Sequence, residues 1–206
     1  MSNESKPPQS PTAAAHWDEV WRAKEPEAVS WFEPNPEVSL ALIGSTSRRV
    51  LDVGGGASRL VDALLDRGMQ VTVLDLSPHA LERARHRLGA RADRVTWIVG
   101  DVRTVEEVGE IDVWHDRAAF HFLIEPEDRA LYRAQLLDAV RPGGEAVIAT
   151  FAPDGPERCS GLPVQRWAPE ALAGELGLDL LESRREVHRT PWDTEQPFTY
   201  ARLRRP

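Results

Sequence analysis

The stretch Arg49-Val-Leu-Asp-Val-Gly-Gly-Gly-Ala-Ser58 decides how the chain folds. Its apolar run, Val50 to Val53, contains one acid, Asp52, and leads directly into three consecutive glycines. Apolar residues then recur at helical spacing, at Leu60, Val61, Leu64 and Leu65. Glycine adopts positive φ freely, and the first N–H groups of a helix have no partner within it. The sequence therefore predicts a strand, a glycine turn and a helix that begin a nucleotide-binding α/β unit.

Two ligand motifs compete for this turn. A dinucleotide fingerprint, Gly-x-Gly-x-x-Gly, fits Gly54 and Gly56 but meets Arg59 where its third glycine belongs. The pattern Asp-x-Gly-x-Gly fits fully, with Asp52 as its acid. It resembles the first motif of class I S-adenosylmethionine-dependent methyltransferases, with Ser58 in place of the usual closing glycine. A carboxylate beside the turn suits a cosubstrate that carries a sulfonium and an ammonium. A glycine-rich turn without a ligand is the alternative.

The composition limits the classes of protein that fit. A chain of 206 residues is long enough for one well-buried α/β domain and short for two. The net charge of −8 argues against a general nucleic-acid binder, which needs a basic face. No apolar run approaches the length of a membrane span, and a single cysteine, Cys159, fits a reducing compartment. We therefore expect a cytoplasmic protein without nucleic-acid or membrane partners, either a monomer or a weak homodimer.

The N-terminal region is predicted to have two parts. Residues 1–11 are polar and are expected to form a disordered arm, while residues 12–47 are expected to form a helical cap on a domain of residues 48–206. Within the cap, Trp17 and Trp31 are candidates to cover the ligand, because a flat ring stacks on adenine or lies against a sulfonium. The alternative is that these rings only pack the cap onto the domain.

Strand and helix patterns alternate through five units up to residue 151, which predicts a parallel sheet with right-handed crossovers. The resemblance to class I methyltransferases covers this whole region. It implies an α/β fold with a doubly wound, Rossmann-like, seven-stranded sheet that is mostly parallel and has an antiparallel C-terminal strand.

Further ligand residues are expected where the second and third strands end. Asp75 closes the second strand, roughly twenty residues after the glycines, where a carboxylate accepts hydrogen bonds from both ribose hydroxyls. Leu76 follows it. The resemblance implies that Asp101 receives the adenine amino group and that Val102 packs on the base. The predicted cosubstrate contacts are Trp17, Trp31, Asp52, Gly54, Gly56, Asp75, Leu76, Asp101, Val102 and His115.

The catalytic candidates follow the fourth strand, which is predicted to end at Trp114. His115 and Asp116 come next, and His121 lies about one helical turn further along. A histidine there would accept a proton or, when protonated, favour a thiolate. His121 lies between two phenylalanines, so a core histidine is the alternative. The spacing of these residues matches no zinc pattern, and no metal is expected.

A narrower resemblance concerns the acceptor. The sequence His16-Trp-Asp-Glu-Val-Trp, followed by Ser30-Trp-Phe, looks like the start of thiol and thiopurine S-methyltransferases. A branch of protein lysine methyltransferases opens similarly and carries an acid–base pair where this chain has Asp116-Arg117. For a lysine acceptor, an acidic groove is expected, to which Glu33, Asp116 and Asp154 would contribute.

The function predicted from these patterns is methyl transfer from S-adenosylmethionine to a small molecule, with a thiol sulfur as the leading acceptor and S-adenosylhomocysteine as the product. A protein lysine N-methyltransferase is the alternative enzyme. A non-catalytic S-adenosylmethionine-binding protein is the alternative from a different class.

Overall fold

A computed structural model describes residues 12–45, 48–106 and 108–206 of the chain. The predicted disordered arm, residues 1–11, lies outside the described residues. The helices are α1 (Ala13–Ala23), α2 (Glu37–Ile43), α3 (Leu60–Asp66), α4 (Pro78–Leu88), α5 (Pro126–Ala139) and α6 (Pro169–Leu176). The strands are β1 (Arg49–Val53), β2 (Gln70–Asp75), β3 (Val95–Val99), β4 (Ile111–Arg117), β5 (Val140–Phe151), β6 (Arg158–Cys159), β7 (Leu162–Pro163), β8 (Asp179–Arg189) and β9 (Glu195–Arg204).

Seven of these strands form one sheet in the order β3-β2-β1-β4-β5-β9-β8. The first five pair in parallel, and β9 runs antiparallel to both of its neighbours. The predicted α/β fold, with a mostly parallel seven-stranded sheet and one antiparallel strand near the C-terminus, is confirmed. Strands β6 and β7 form a separate short hairpin in the loop after β5.

Strands β4 and β5 extend beyond their predicted limits. Strand β4 continues to Arg117 rather than ending at Trp114. Strand β5 begins at Val140, although the sequence predicts a turn over residues 141–144 before a strand that starts at Glu145. The pairing of β4 with β5 jumps from Ile111↔Val140 to Val113↔Glu145. The Pro- and Gly-containing segment therefore lies in a break of the register.

The sheet is covered on both faces, and β4 shows how the two cores divide. Successive side chains of a strand point to opposite faces. Val113 packs with α3 residues such as Leu64 in one buried cluster, whereas Trp114 packs with α5 residues such as Leu136 in the other. His115 therefore lies on the face covered by α2 and α3, and Asp116 lies on the face of α5.

Helix α1 is attached to the domain by polar and aromatic contacts. Asp18 accepts a hydrogen bond from Ser77 Oγ at 2.9 Å, and the Ser77 hydroxyl also caps α4 by accepting from the N–H of Ala80. Trp21 is buried against Ala57 and Ala80. Across the described ranges, no helix combines the length and apolar character needed to cross a membrane.

Candidate functional site

The glycine turn brings the backbone close to its neighbours. Gly54 and Gly56 have φ of 64° and 47°, a region that side-chain-bearing residues rarely adopt. A Cβ at Gly55 would lie 2.6 Å from Oδ2 of Asp52, so this position has no room for a side chain. Ser58, which replaces the closing glycine of the motif, accepts a hydrogen bond from the N–H of Leu60 at 3.0 Å. Its hydroxyl therefore satisfies an N–H at the start of α3.

A cavity of about 270 Å³ opens at the carboxyl ends of β1 to β4, beneath α1. Among its lining residues are seven of the predicted cosubstrate contacts: Trp17, Trp31, Gly54, Asp75, Leu76, Asp101 and Val102. A smaller cavity of about 50 Å³ also borders the glycine turn, and its lining includes Asp52 and His115. Gly56 lines neither cavity, but its backbone N–H is hydrogen-bonded to the Asp75 carboxylate.

Asp75 borders the larger cavity, and its pKa is shifted strongly from its ordinary value. Its carboxylate accepts hydrogen bonds from backbone N–H groups, including that of Ser77 at 2.8 Å. Burial nevertheless raises the pKa of Asp75 to about 7, and the nearby Asp52 charge acts in the same direction. Burial thus outweighs these hydrogen bonds, and further donors from a ligand would favour the ionised carboxylate.

Asp101 is held by an arginine that the sequence analysis did not identify. Arg103 donates to Asp101 from Nε at 2.9 Å and also pairs with Asp128 of α5. These hydrogen bonds lower the pKa of Asp101, so its carboxylate remains ionised. Arg103 and Asp128 both line the larger cavity. They lie 25 residues apart, and no local pattern links them in the sequence.

The aromatic rings of the N-terminal region form one wall of the larger cavity. Trp17 makes edge-to-face contacts with Trp31, at a centroid distance of 5.6 Å, and with Phe122 at 5.0 Å. Trp21 also borders the cavity and contacts Trp31 at 5.9 Å. Both predicted tryptophans therefore border the cavity, and each also packs against another ring of the cap.

The three predicted catalytic residues are all buried, and none of them lines the larger cavity. His115 has both ring nitrogens occupied, with Nδ1 2.7 Å from Oδ1 of Asp52 and Nε2 2.9 Å from Oγ of Ser39. The ring therefore has no nitrogen free to take a proton from an acceptor in that cavity. This differs from the predicted opening of His115 onto the cleft, because β4 extends past it.

Asp116 lies on the opposite face of the sheet from His115. It accepts hydrogen bonds from the hydroxyl of Tyr132 at 2.8 Å and from the N–H groups of Ala119 and Phe120. Burial raises its pKa to about 6. The Tyr132 hydroxyl in turn accepts from the Trp114 indole at 2.7 Å. Asp116 thus belongs to a buried network that fixes the turn after β4, and the predicted grouping of His115 with Asp116 does not occur.

His121 is fully buried, and neither of its ring nitrogens has a hydrogen-bond partner in the described part of the chain. Its ring lies 4.5 Å from that of Phe122 and 4.9 Å from that of Phe151. Burial and the charge of Arg117 lower its pKa to about 3. A neutral histidine packed among phenylalanines fits the alternative of a core residue.

Arg117 is the cation that faces both cavities. Its side chain is 10% exposed and donates to the Tyr200 hydroxyl and the Trp31 carbonyl, both at 2.9 Å. Oε2 of Glu33 lies 3.4 Å from Nε, and the guanidinium stacks 4.7 Å from the centre of the Phe198 ring. Its Nη2 has no hydrogen-bond partner among the described residues. One nitrogen of this buried guanidinium is thus left without an acceptor among the described residues.

Cys159, from the β6–β7 hairpin, is buried and also borders the larger cavity. Burial raises the pKa of its thiol to about 11, while a hydrogen bond with Ser30 and the charge of Arg117 act in the opposite direction. The charge of Arg117 therefore reaches a sulfur atom at the wall of this cavity, but burial outweighs it and Cys159 remains a thiol at neutral pH.

The acidic groove expected for a lysine acceptor is not formed by the predicted residues. Glu33 pairs with Arg117, Asp116 is enclosed by its hydrogen bonds, and Asp154 pairs with the exposed Arg185 at 2.7 Å. Within residues 12–45, 48–106 and 108–206, no group of three or more His, Cys, Asp or Glu side chains is arranged to hold a metal ion.

Comparison with known proteins identifies relatives of this chain. Residues 50–144 match a family described as a methyltransferase domain. Over 112 residues the chain is 33% identical to the ubiquinone/menaquinone biosynthesis C-methyltransferase UbiE of Paracoccus denitrificans. That alignment covers 51% of this chain and 43% of the relative. The chain spans about half the length of the curated relatives it matches.

Two solved structures share the fold over most of the chain. One is a protein concerned with the conversion of a disulfide bond into a thioacetal group during echinomycin biosynthesis. It has a TM-score of 0.74 and 24% sequence identity, and the match covers 92% of this chain and 91% of that one. The 1,6-didemethyltoxoflavin-N1-methyltransferase of Burkholderia thailandensis has a TM-score of 0.66 at 23% identity, covering 91% and 81%. It was solved with 1,6-didemethyltoxoflavin and S-adenosylhomocysteine bound.

The predicted enzyme class, a methyltransferase, agrees with the family match and with the curated relatives. The chain has the class I methyltransferase fold, and its residues 50–144 match the methyltransferase-domain family.

Proposed function

We propose that the chain transfers a methyl group from S-adenosylmethionine to a small molecule, with a thiol sulfur as the acceptor. The observation that carries this proposal is the set of acids around the cavities at the carboxyl ends of β1, β2 and β3. These are Asp52, Asp75 and Asp101, one from each strand end. The fold-sharing toxoflavin methyltransferase, solved with S-adenosylhomocysteine, supports the same cosubstrate here.

The donor groups of this cosubstrate match the acids one by one. Asp75, with its raised pKa, gains from donors such as the ribose hydroxyls. Oδ2 of Asp52 is buried without a hydrogen-bond partner among the described residues and suits the ammonium. Asp101, kept ionised by Arg103, retains acceptor sites for the adenine amino group. An orphaned buried oxygen is the kind of atom that a bound cation would satisfy.

S-adenosylmethionine supplies an activated methyl group on a sulfonium. The protein then has to align the acceptor with this methyl group and exclude water. Trp17, Trp31 and Phe122 provide an apolar wall for that purpose. No histidine lines the larger cavity within the described residues, which favours an acceptor that needs little help from a general base.

A thiol is such an acceptor. Its reference pKa is about 8.5, so an adjacent cation is enough to produce thiolate at neutral pH. Arg117 is suitably placed, because its side chain lines the larger cavity and its Nη2 has no hydrogen-bond partner among the described residues. The similar proteins are named for reactions at carbon, at nitrogen and at a disulfide, so the choice of sulfur rests on the site.

The test is methyl transfer from labelled S-adenosylmethionine to a panel of thiols, phenols, amines, carboxylates and cell-lysate protein. We expect label on thiols alone. Replacing Arg117 with methionine should lower the rate with a thiol at neutral pH by about tenfold or more, since an opposite charge shifts a pKa by about 1–3 units. The rate should recover as the pH is raised above the pKa of the thiol.

The unfolding midpoint and the affinity for S-adenosylhomocysteine serve as controls for this variant, because Glu33 loses its partner. Label on amines or in a protein band would reject the thiol and favour a nitrogen acceptor. An unchanged pH profile combined with weaker S-adenosylhomocysteine binding would assign Arg117 to the cosubstrate instead. Tight cosubstrate binding without transfer to any acceptor would favour the non-catalytic alternative.

The tryptophan wall makes a second prediction. Titration with S-adenosylhomocysteine should change the tryptophan emission of the wild-type protein, because Trp17 is half-buried at the cavity. Replacing Trp17 with phenylalanine should remove most of that change. The matched control is Trp192→Phe, since Trp192 is 57% exposed and lies in the turn between β8 and β9. An equal change in emission for both variants would show that Trp17 only packs the cap onto the domain and does not cover the ligand.

A further inference from the structure

A row of hydrogen bonds connects the N-terminal cap to the glycine turn. Oγ of Ser39, on α2, lies 2.9 Å from Nε2 of His115 on β4, and Nδ1 of His115 lies 2.7 Å from Oδ1 of Asp52 on β1. The exposed fractions of the three residues are 1%, 3% and 2%. Asp52 and His115 are register partners in adjacent parallel strands, so the sheet itself holds them side by side.

The direction of the bond to Asp52 follows from the chemistry of the two groups. A carboxylate offers only acceptor atoms, so Nδ1 of His115 must donate to Asp52. In the neutral ring Nε2 is then an acceptor, and the Ser39 hydroxyl donates to it. Each member of the row thereby orients the next one, and the row ends at the carboxylate.

The second oxygen of this carboxylate has no such support. Oδ2 of Asp52 is buried and has no hydrogen-bond partner in the part of the chain that the structure describes. It belongs to a residue that lines the smaller cavity together with Gly54, Gly55 and Ser58. A buried acceptor without a donor is unusual in a folded protein and indicates a missing partner with N–H or O–H groups.

We propose that Ser39 and His115 are positioning residues, which hold the Asp52 carboxylate so that its free oxygen receives the ammonium of the cosubstrate. This inference rests on the proposed function, because it assumes a ligand with an amino-acid portion. His115 fixes one carboxylate oxygen and Ser39 fixes the imidazole ring. Of the three residues in the row, only Asp52 touches the ligand.

The row has the same order of groups as a hydrolytic Ser-His-Asp triad, but its surroundings differ. Ser39 borders only the smaller cavity and is almost fully buried. A nucleophilic serine needs an accessible acyl group beside it and donors for the developing oxyanion. The positioning role requires neither, and it accounts for the orphaned oxygen of Asp52.

Two ligands separate this role from general packing. S-adenosylhomocysteine carries the ammonium, whereas 5′-methylthioadenosine shares the adenosine portion but lacks the amino-acid portion. By calorimetric titration, His115→Leu should weaken S-adenosylhomocysteine binding by about tenfold and 5′-methylthioadenosine binding by less than about twofold, because a charge-assisted contact is lost only in the first. His115→Asn should restore much of the affinity, since its amide donates to Asp52.

Ser39→Ala is the milder variant and keeps the proposal testable if His115→Leu does not fold. It should weaken S-adenosylhomocysteine binding by about threefold and leave 5′-methylthioadenosine binding unchanged. The matched control is Tyr132→Phe, which removes a buried hydroxyl from the separate network around Asp116. That variant should lose stability while the ratio of the two affinities stays at the wild-type value.

Equal weakening of both ligands by the Ser39 and His115 variants would overturn the positioning role, as would unchanged binding of S-adenosylhomocysteine. A wild-type protein that binds 5′-methylthioadenosine but gains nothing from the amino-acid portion would overturn it too. A wild-type protein that binds neither ligand would overturn the proposed function itself. The two failures are thus distinguishable.

Discussion

Replacing Asp75 with asparagine is expected to weaken the binding of 5′-methylthioadenosine by about a hundredfold and to stabilise the ligand-free protein at about pH 8. The loss of affinity follows because a carboxylate accepts two strong hydrogen bonds from a ribose, whereas an amide presents one acceptor and one mismatched donor. Calorimetric titration and chemical denaturation measure the two effects on the same samples.

The gain in stability follows from the sign of the pKa shift. Burial raises the pKa of Asp75 to about 7 in the folded protein, from an ordinary value near 3.8. Between these values the folded state binds more protons than the unfolded state, so the free energy of unfolding falls as the pH rises through that window. The full shift corresponds to at most about 4 kcal/mol. We expect about 1–2 kcal/mol, because asparagine keeps fewer of the backbone hydrogen bonds.

The same carboxyl predicts how binding depends on pH. Affinity for 5′-methylthioadenosine should fall as the pH drops below about 7, because the ligand hydroxyls favour the ionised form of Asp75. Asp75→Asn should remove this dependence. The matched control is Asp116→Asn. Burial also raises the pKa of Asp116, to about 6, but Asp116 does not line the larger cavity. Wild-type affinity in Asp75→Asn would remove Asp75 from the ribose site.

The fold was predictable because its signals are local. The apolar run before Gly54, the acid that closes β2 and the alternation of strands with helices are all short-range patterns, and each one specifies an element. Seven of the ten predicted cosubstrate contacts line the larger cavity, and five of them do so because parallel strands place their carboxyl ends at one edge of the sheet.

The prediction of the catalytic residues depended on where β4 ends. With β4 extended to Arg117, the period of two places His115 and Arg117 on one face and Asp116 on the other. The partner of the His115 ring, Ser39, lies 76 residues earlier in the chain and leaves no local signal. The same holds for the link from Arg103 to Asp128. Side-chain networks of this kind arise from tertiary packing, which periodicity does not report.

Gly55→Ala is expected to destabilise the protein by about 2–3 kcal/mol and to abolish measurable S-adenosylhomocysteine binding. The added Cβ would lie 2.6 Å from Oδ2 of Asp52 and 2.8 Å from Cγ1 of Val73. Neither neighbour can move freely, since His115 holds Asp52 and Val73 is buried in β2. The methyl group would therefore displace the carboxylate oxygen that we assign to the ammonium.

A glycine-to-alanine substitution at another position should have the opposite effect on stability. Gly174 is exposed in α6, and a Cβ there would meet no atom within 4 Å. Gly174→Ala should therefore stabilise the protein by about 0.5–1 kcal/mol through helix propensity and leave ligand binding unchanged. Denaturation and titration of the two variants in parallel separate crowding at the glycine turn from the general effect of alanine.

If Gly55→Ala keeps wild-type affinity, the Asp52 oxygen must be able to shift without losing the ligand. The positioning role of His115 and Ser39 would then fail with it, because a carboxylate that tolerates displacement needs no residues to hold it in place.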